Sequence, residues 1–507
     1  MVSDLTPSDC DRYRELISNQ RFDPSSVGAG RSLPEEAASD RSRILYSSAF
    51  RRLQQKTQVF PLSKNAAVRS RLTHSLEVAD VGRLIARSLT RGFLKPLDDE
   101  IKEALILLCE TGCLMHDIGN PPFGHFAEVT VQRWFGNNWL HLYNKSRGKQ
   151  APEPSSSSMG TLVNDFLKFD GNPQGLRMVT RLQGRTTEER KNHGMNLTFS
   201  QILTGLKYLS APSDPEDGEQ TKKPGFFESE RDRIKRAREG LGISETRRFP
   251  LTYIVEVADD ISYCLSDMED GIDRGVLSAR AFFEAVHETL KKIDNPEWKT
   301  LLEITERERK TSAANKDRDD FFEFKTYFTP ALIRCAAVRY RERHELILKG
   351  ELTSLFETGD DERTLLDALR KIAARDLYSS SDVEQPLRVG LQVVNGILDH
   401  YGEVLKLSKS DFEELIEART TGDLKKVRGK KDPELLLFDR LPSSYREIYD
   451  FEKARDRRGL PNAIRAVTDS DWEWFCRAHL LLDYLSGMTD DFALRTYHEL
   501  AGIGYEL

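Results

Sequence analysis

The stretch Cys113-Leu-Met-His-Asp-Ile-Gly-Asn-Pro-Pro-Phe-Gly-His-Phe-Ala-Glu128 places two histidines and two carboxylates at the end of an apolar segment. Before His116, the residues Leu105, Cys109 and Gly112 recur at helical spacing, so this histidine continues the apolar face of a predicted helix. The glycine and prolines explain why the helix ends there, but nothing in helix termination requires an adjacent histidine and aspartate. The stretch therefore predicts a helix that ends in a functional site.

Metal binding would explain the histidine and aspartate at this helix end. The side chains of His116 and Asp117 project roughly 100° apart on a helix, so both can reach one cation. Two more candidates, His74 and Asp259, lie on the apolar faces of other predicted helices. Acidic groups in an apolar helix are costly to bury unless they are paired or bind a cation. Two histidines and two carboxylates suit a hard or borderline divalent cation that keeps positions open for water and substrate oxygens.

Each of these residues also has a purely structural interpretation. A lone histidine on an apolar face, such as His74, is more typical of a hydrogen-bonded core residue than of a ligand. Asp259 with its neighbour Asp260 fits a charged pair on a helix surface as well as it fits a ligand. These alternatives stay open for the residues taken singly, whereas the histidine-aspartate pair favours the metal site.

In this order, the four residues resemble the ligand series of the HD-domain metal-dependent phosphohydrolases. The flanking sequence resembles one branch of that family, the bacterial dGTP triphosphohydrolases, over most of the chain. Long strings in a fixed order are much more specific than a histidine-aspartate pair alone. The motifs that carry the resemblance are Arg51-Arg-Leu-Gln-Gln-Lys-Thr-Gln-Val-Phe-Pro61, Arg69-Ser-Arg-Leu-Thr-His-Ser-Leu-Glu-Val78, the stretch from His116 to His125, Gly171-Asn-Pro-Gln-Gly175, Lys222-Lys-Pro-Gly225, Ala258-Asp-Asp-Ile-Ser-Tyr263 and Asp483-Tyr-Leu-Ser-Gly-Met-Thr-Asp490.

The resemblance implies an all-α fold with an HD-domain helical core, further C-terminal helices and surface insertions. It implies hydrolysis of dGTP to deoxyguanosine and inorganic tripolyphosphate, with water attacking the α-phosphorus. A divalent cation assists, Mg²⁺ first, with Mn²⁺ or Co²⁺ as alternatives. We choose Asp259 over Asp260 because the family pattern reads Ala-Asp-x-Ile-x-Tyr, with the first aspartate as ligand. The implied metal ligands are His74, His116, Asp117 and Asp259.

The same resemblance implies roles for further residues. His125 and Glu128 are three apart in a predicted helix, so the carboxylate can fix the tautomer of the imidazole. We expect His125 to transfer protons and Glu128 to orient it, although an ordinary exposed helix pair is the structural alternative. A tyrosine packed over C2′ of the sugar would disfavour a ribose hydroxyl. The residues implied in substrate binding are Gln58 and Val59 near the nucleoside, Lys207, Tyr208 and Lys223 near the phosphates, Asn172 at another active-site position, and Tyr263 and Asp267 at the deoxyribose.

The composition is typical of a globular protein with a well-solvated surface. Of the 507 residues, 38% are hydrophobic and 31% are charged, and the net charge is −7. No run approaches the roughly 20 apolar residues of a membrane span, and the first residues lack a signal pattern, which predicts a cytoplasmic protein without a membrane partner. The six cysteines are scattered, so a disulfide scaffold or a zinc finger is not expected.

Helical periodicity dominates the chain, and strand-like alternation is scarce. We expect residues 1–40 to form an N-terminal arm and residues 41–290 to form the HD core. Surface insertions are expected near residues 144–160 and 210–225, where Pro, Ser, Asp and Gly accumulate. Residues 291–507 should form a helical C-terminal region that packs on the core. The predicted helices span about 72–93, 99–117, 250–272, 278–293, 329–349, 362–376 and 472–487.

Partners are implied mainly by the resemblance. It implies a homo-oligomer, a hexamer, and modulation by single-stranded DNA, although the basic runs at 231–238 and 425–431 are more typical of solvated surfaces. Two alternatives to dGTP hydrolysis stay open. One is an HD triphosphohydrolase of broader dNTP specificity, and the other is a non-catalytic regulator that binds nucleotides or DNA. The complete set of candidate ligands argues against the regulator.

Overall fold

The computed structural model shows a helical protein. It describes residues 5–24, 30–63, 65–148, 158–184, 193–216, 218, 220–310, 317–424, 427, 429–457, 460 and 462–504. Within these residues there is no β-strand, and only two isolated bridges occur, between Thr57 and Ser70 and between Ser210 and Pro224. The predicted all-α class is therefore confirmed.

The helices follow the apolar periodicity of the sequence closely. Predicted helices 72–93 and 99–117 correspond to α4 and α5, and the segment predicted as one helix over 329–349 belongs to two, α14 and α15, separated at Arg343. In chain order the α-helices are α1 (Pro7–Leu16), α2 (Leu33–Leu45), α3 (Ser48–Arg52), α4 (Arg71–Arg91), α5 (Asp99–Met115), α6 (His125–Arg147), α7 (Ser158–Leu167), α8 (Gly171–Arg177), α9 (Phe199–Thr204), α10 (Arg231–Gly240), α11 (Thr252–Asp273), α12 (Ala279–Leu290), α13 (Lys299–Glu308), α14 (Asp317–Glu342), α15 (His344–Lys349), α16 (Asp361–Ile372), α17 (Ser381–Lys406), α18 (Lys409–Thr421), α19 (Asp432–Asp439), α20 (Ser443–Lys453), α21 (Asn462–Arg465), α22 (Asp469–Ser486) and α23 (Asp490–Ala501).

Two compact units make up the chain, and each combines segments that are distant in the sequence. Unit 1 consists of Met1–Asp117, Leu197–Leu209 and Arg236–Leu387. Unit 2 consists of Ile118–Asn196, Ser210–Lys235 and Arg388–Leu507. The periodicity of the sequence does not reveal this division, because it depends on contacts between remote segments.

Unit 1 is built around three helices, α4, α5 and α11, which pack against one another. The apolar residues of α4 that follow His74 at helical spacing are buried in this core. Close approach is required at Gly82 of α4, where a Cβ atom would lie only 2.5 Å from the Sγ atom of Cys113. The segment predicted as an arm adds to the same unit, since Tyr13 of α1 is buried and its hydroxyl lies 2.8 Å from that of Tyr340.

Unit 2 has α22 at its centre, and every residue from Asp471 to Ser486 is buried. Charged side chains are buried with it and paired. The guanidinium group of Arg177 donates to both carboxylate oxygens of Asp483 and lies 3.0 Å from Glu230 Oε1. These pairs fasten α8 to α22 within the unit.

The two predicted insertions lie in unit 2. Of the first, residues 144–148 end α6 and residues 158–160 begin α7, whereas residues 149–157 lie outside the described part of the chain. The described residues of the second, 210–225, form a loop whose ends meet, because the backbone N–H of Gly225 donates to the carbonyl of Ser210 at 2.8 Å.

Candidate metal centre

Three helices of unit 1 bring together two histidines and one aspartate. His74 lies in the first turns of α4, whose N-terminus is capped by the hydroxyl of Ser70. His116 is the residue at which α5 ends, and Asp259 lies in the middle of α11. Because these helices pack on one another, residues separated by up to 185 positions become neighbours.

The distances in this cluster are those of a metal site. One side-chain atom from each of His74, His116 and Asp259 lies within 4.8 Å of the other two. The Oδ1 atom of Asp259 is 3.2 Å from His74 Nε2 and 3.5 Å from His116 Nε2. His74 is buried, while the other two side chains are partly exposed, so the cluster is open to solvent on one side. An open side is what a catalytic cation needs for water and substrate.

The hydrogen bonding of His116 prepares this imidazole to bind a cation. Its Nδ1 atom lies 2.7 Å from the carbonyl oxygen of Cys113 and donates to it, since a carbonyl can only accept. The tautomer therefore leaves the lone pair on Nε2. That Nε2 atom is buried and has no hydrogen-bond partner among the described residues. A divalent cation fits this donor set.

Asp117, the fourth predicted ligand, forms an ion pair with Arg71 that the sequence does not predict. Its Oδ2 atom accepts a hydrogen bond of 2.7 Å from Arg71, and its Oδ1 atom lies 3.7 Å from His116 Nε2. Burial raises the pKa of this carboxyl group, but the interactions with Arg71 and then with His116 outweigh burial and lower it. Asp117 is thus ionised, with one oxygen held by the arginine and the other facing the histidine.

The neighbouring aspartates of α11 have different environments. Asp259 faces the two histidines, whereas Asp260 forms an ion pair of 2.7 Å with Arg370. Burial raises the pKa of Asp259, but the interactions with His116 first, and with His74 and Lys207, outweigh burial and hold the pKa below its ordinary value. For Asp260 burial prevails over Arg370, and the pKa is raised. The geometry therefore supports Asp259, rather than Asp260, as the candidate ligand.

A second pair of chemically active residues lies in unit 2. His125 is the first residue of α6, and its Nδ1 atom shares a short hydrogen bond with Glu128 Oε2. The other oxygen of Glu128 accepts the backbone N–H of Gly171 at 2.8 Å, so the buried carboxylate is fixed from two sides. The hydrogen bond to Glu128 raises the pKa of His125. This arrangement fixes the tautomer of the imidazole and leaves Nε2 available for proton transfer.

Residues 71–147 match the HD domain family. The matched stretch contains His74, His116 and Asp117 together with the pair at 125 and 128. HD domains bind divalent metal ions, and the match supports placing the chain in the HD-domain phosphohydrolase superfamily. Asp259 lies beyond the matched residues, and the fold of unit 1 supplies it to the HD domain.

Lys207, which the sequence analysis placed near the phosphates, lies in unit 1 with the HD-domain ligands. Its Nζ atom is 3.9 Å from Glu256 Oε1 and 5.9 Å from the ring centre of Tyr208. Burial lowers the pKa of this ammonium group, but Glu256 and Asp259 outweigh burial and raise it. The side chain is therefore a permanent positive charge beside the candidate metal centre.

Two other predicted substrate-binding residues, Lys223 and Asn172, both donate hydrogen bonds to one carboxylate in unit 2. The Nζ atom of Lys223 donates to Asp170 Oδ2 at 2.8 Å. Asn172 donates to Asp170 Oδ1 through its backbone N–H at 2.9 Å and through its side-chain amide at 2.6 Å. Asp170 was not predicted, because an aspartate before a glycine in a loop carries no distinctive signal. It holds the lysine and the asparagine side by side.

The residues predicted at the sugar form a hydrogen-bonded chain in unit 1. Tyr263 and Asp267, one and two turns beyond Asp259 on α11, are joined by Tyr378, whose hydroxyl bonds both of them. Tyr378 lies more than 100 residues further along the chain, so the sequence analysis could not find it. The Oδ1 atom of Asp267 is buried and has no partner among the described residues. This acceptor is suited to a hydroxyl donor.

The two residues predicted near the nucleoside also lie in unit 1. Val59 is buried, and the side-chain oxygen of Gln58 is buried without a hydrogen-bond partner among the described residues. A buried acceptor of this kind costs stability until a donor reaches it. Substrate contacts of Gln58 and Val59 stay a prediction.

Replacing Asp267 with asparagine is expected to stabilise the protein. Burial raises the pKa of Asp267 to about 7, against an ordinary value of 3.8. The folded state therefore holds a proton that the unfolded state has lost between these pH values, and stability falls as the pH rises through about 7. Asp267→Asn removes that loss while keeping an acceptor for Tyr378. The gain in unfolding free energy should be larger at pH 8 than at pH 5, by about 3 kcal/mol.

Urea unfolding of both proteins in a chelator, at the two pH values, measures this difference without a contribution from metal binding. A gain that is the same at pH 5 and pH 8, or a loss, would contradict the assignment of an unfavourable buried charge to Asp267.

No helix among the described residues is both long and apolar enough to span a membrane.

The HD domain and its candidate ligands point to a metal-dependent phosphohydrolase.

Proposed function

We propose that this protein is a triphosphohydrolase that cleaves dGTP into deoxyguanosine and inorganic tripolyphosphate. The single observation that carries the hydrolase part is the cluster of His74, His116 and Asp259 within an HD-domain chain, in which His116 Nε2 has no hydrogen-bond partner among the described residues. The choice of dGTP is supported by the ordered sequence motifs that resemble the dGTP triphosphohydrolases.

The metal would be held by the two histidines and Asp259, with Asp117 beside them. A bound divalent cation supplies charge neutralisation on the phosphate oxygens and lowers the pKa of a water molecule. The ion pair with Arg71 keeps Asp117 ionised, as a ligand must be. Mg²⁺ is our first choice. Mixed carboxylate and imidazole donors with open positions also accept Mn²⁺ or Co²⁺.

The reaction breaks the bond between the α-phosphorus and the 5′-oxygen of the nucleoside. The attacking water loses protons, and the 5′-oxygen gains one as deoxyguanosine leaves. We assign this proton transfer to His125, whose tautomer is set by Glu128. Because the carboxylate is anchored by the Gly171 backbone, it can hold the imidazole in one orientation while the ring exchanges protons at Nε2.

Recognition of the substrate is assigned to groups of matching chemistry. Lys207 and Lys223 offer positive charge to the triphosphate, and Asn172 offers an amide. The Oδ1 atom of Asp267, which has no hydrogen-bond partner among the described residues, suits the 3′-hydroxyl, and we assign the ring of Tyr263 to crowding out a 2′-hydroxyl.

Product analysis tests this proposal directly. The pure protein is incubated with each of the four dNTPs and with GTP, in Mg²⁺ or Mn²⁺, and the products are separated by anion-exchange and reversed-phase chromatography. We expect deoxyguanosine and intact tripolyphosphate from dGTP and little turnover of the other four nucleotides. An Asp259→Asn preparation, purified in parallel, controls for contaminating hydrolases.

Other product patterns are equally informative. Nucleoside and tripolyphosphate from all four dNTPs would replace dGTP specificity by the broader dNTP activity. A nucleoside monophosphate with pyrophosphate would show that a different bond is broken and would overturn the proposed reaction. No turnover with any metal would leave the non-catalytic regulator as the better interpretation.

A further inference from the structure

The turn that precedes His125 has an unusual backbone. Phe123 has a φ of 62° and Gly124 a φ of 59°, so two consecutive residues have a positive φ. This conformation suits Gly124, but it is sterically costly for a large side chain such as Phe123. Such outliers persist only where the surrounding structure holds them, and they concentrate at functional sites.

Unit 2 holds this turn from two directions. The backbone N–H of Phe123 donates to Asp490 Oδ1 at 2.9 Å, and both groups are buried. The ring of Phe123 packs against α17 at Gly390, where an added Cβ atom would lie 2.6 Å from the ring. Asp490 and Gly390, which lie 367 and 267 positions after Phe123 in the sequence, thus hold this strained residue in place.

The strained turn determines where His125 begins its helix. Gly124 is the N-cap of α6 and His125 is its first residue, so the backbone direction at this turn sets the direction of the imidazole. The His125 side chain is 73% exposed and has Glu128 as its hydrogen-bond partner, so little packing fixes it directly. Its position therefore depends on the backbone.

The C-terminal motif Asp483-Tyr-Leu-Ser-Gly-Met-Thr-Asp490 acts at both of its ends. Its last residue holds the Phe123 turn, while Asp483 accepts hydrogen bonds from Gln174 at 3.0 Å and from Arg177 on α8. Helix α8 starts at Gly171, whose N–H fixes Glu128. One segment thus supports both the histidine and the carboxylate that orients it.

We propose that Asp490 is a positioning residue for His125, acting through the strained turn at Phe123 and Gly124. The proposal rests on the proposed function, because it assigns Asp490 to the proton-transfer step of that reaction. Asp490 is not a catalytic residue, since it acts through the backbone of the turn.

Three variants test the proposal by steady-state hydrolysis of dGTP. Asp490→Ala removes the acceptor, and we expect kcat to fall about 10- to 100-fold, the cost of displacing a catalytic group by about 1 Å, with KM changed less than about threefold. Asp490→Asn keeps an acceptor oxygen for the Phe123 N–H and should restore most of kcat. The matched control is Asp491→Ala, which removes the neighbouring, exposed carboxylate from the same first helical turn and should leave kcat unchanged.

A second approach disturbs the turn from the opposite side. Gly390→Ala should push the Phe123 ring away and should also lower kcat more than it raises KM. Histidine labelled with ¹³C at the ε1 carbon allows the His125 resonance, assigned with His125→Ala, to be titrated without any turnover. Glu128, Asp170 and Lys223 are the ionisable groups that act on this imidazole. In Asp490→Ala its pKa should move down towards the ordinary value, as contact with Glu128 weakens.

The outcomes separate this proposal from the proposed function. If the wild type does not hydrolyse dGTP, the function fails, and an unchanged His125 titration in Asp490→Ala and Gly390→Ala would overturn the positioning role as well. If the wild type is active and both variants keep its kcat and titration while only their melting temperature falls, Asp490 is merely structural. If Asp490→Ala does not fold, Gly390→Ala decides between these outcomes.

Discussion

Asp259→Asn is expected to abolish metal binding and to lower kcat by more than about 10³-fold. The substitution keeps the size of the side chain but removes its negative charge. The cation is then left with two imidazoles and Asp117, whose charge is shared with Arg71, and this set holds a hard divalent cation poorly. In the structure, Asp259 Oδ1 is the atom that lies close to both histidines. Isothermal titration with Mn²⁺, together with turnover of dGTP, measures both losses.

The adjacent Asp260→Asn is a closely matched control. It makes the same chemical change one residue along the same helix, where the carboxylate is paired with Arg370 instead of the histidines. We expect it to bind Mn²⁺ with nearly wild-type affinity. Equal losses in the two variants would mean that the effect comes from the helix and not from a ligand, and full Mn²⁺ affinity in Asp259→Asn would refute the metal assignment.

His125→Ala is expected to lower kcat by about 10²- to 10⁴-fold, the usual contribution of a general acid or base, while Mn²⁺ affinity stays close to that of the wild type. The control is His141→Ala, which removes an exposed histidine from the same helix, α6, and should have little effect. A variant that loses metal binding together with turnover would argue against a separate proton-transfer role.

Glu128→Gln provides a pH test of the same pair. The hydrogen bond that His125 donates to Glu128 raises the pKa of His125, so removing the negative charge should lower that pKa. The limb of the pH profile of kcat that belongs to His125 should therefore move to lower pH. If the limbs of the pH profile of kcat stay at the same pH in Glu128→Gln, His125 does not control them.

Both units contain features that work against stability. In unit 1, Asp267 and Gln58 each bury a side-chain oxygen that has no hydrogen-bond partner among the described residues, and in unit 2 Phe123 has a positive φ. Each of these features costs free energy in the folded protein. Since proteins commonly keep such unfavourable features where function requires them, their presence in each unit is consistent with functional roles for these residues.

The sequence alone was sufficient for the all-α class, for most long helices and for the pairing of His125 with Glu128. These features depend on residues three to eleven positions apart, so local periodicity and side-chain spacing determine them. The choice of Asp259 over Asp260 came from the resemblance to a family, because both aspartates fit the helical pattern equally well when taken singly.

Only the tertiary structure could decide which distant residues meet. Arg71 pairs with Asp117, Tyr378 joins Tyr263 to Asp267, and Asp490 holds Phe123. No local pattern indicates which residue Arg71, Tyr378 or Asp490 contacts. The division into two units also depends on contacts between remote segments. Local spacing is fixed by backbone geometry, whereas these pairings depend on how buried faces pack across the whole chain, which a single sequence does not reveal.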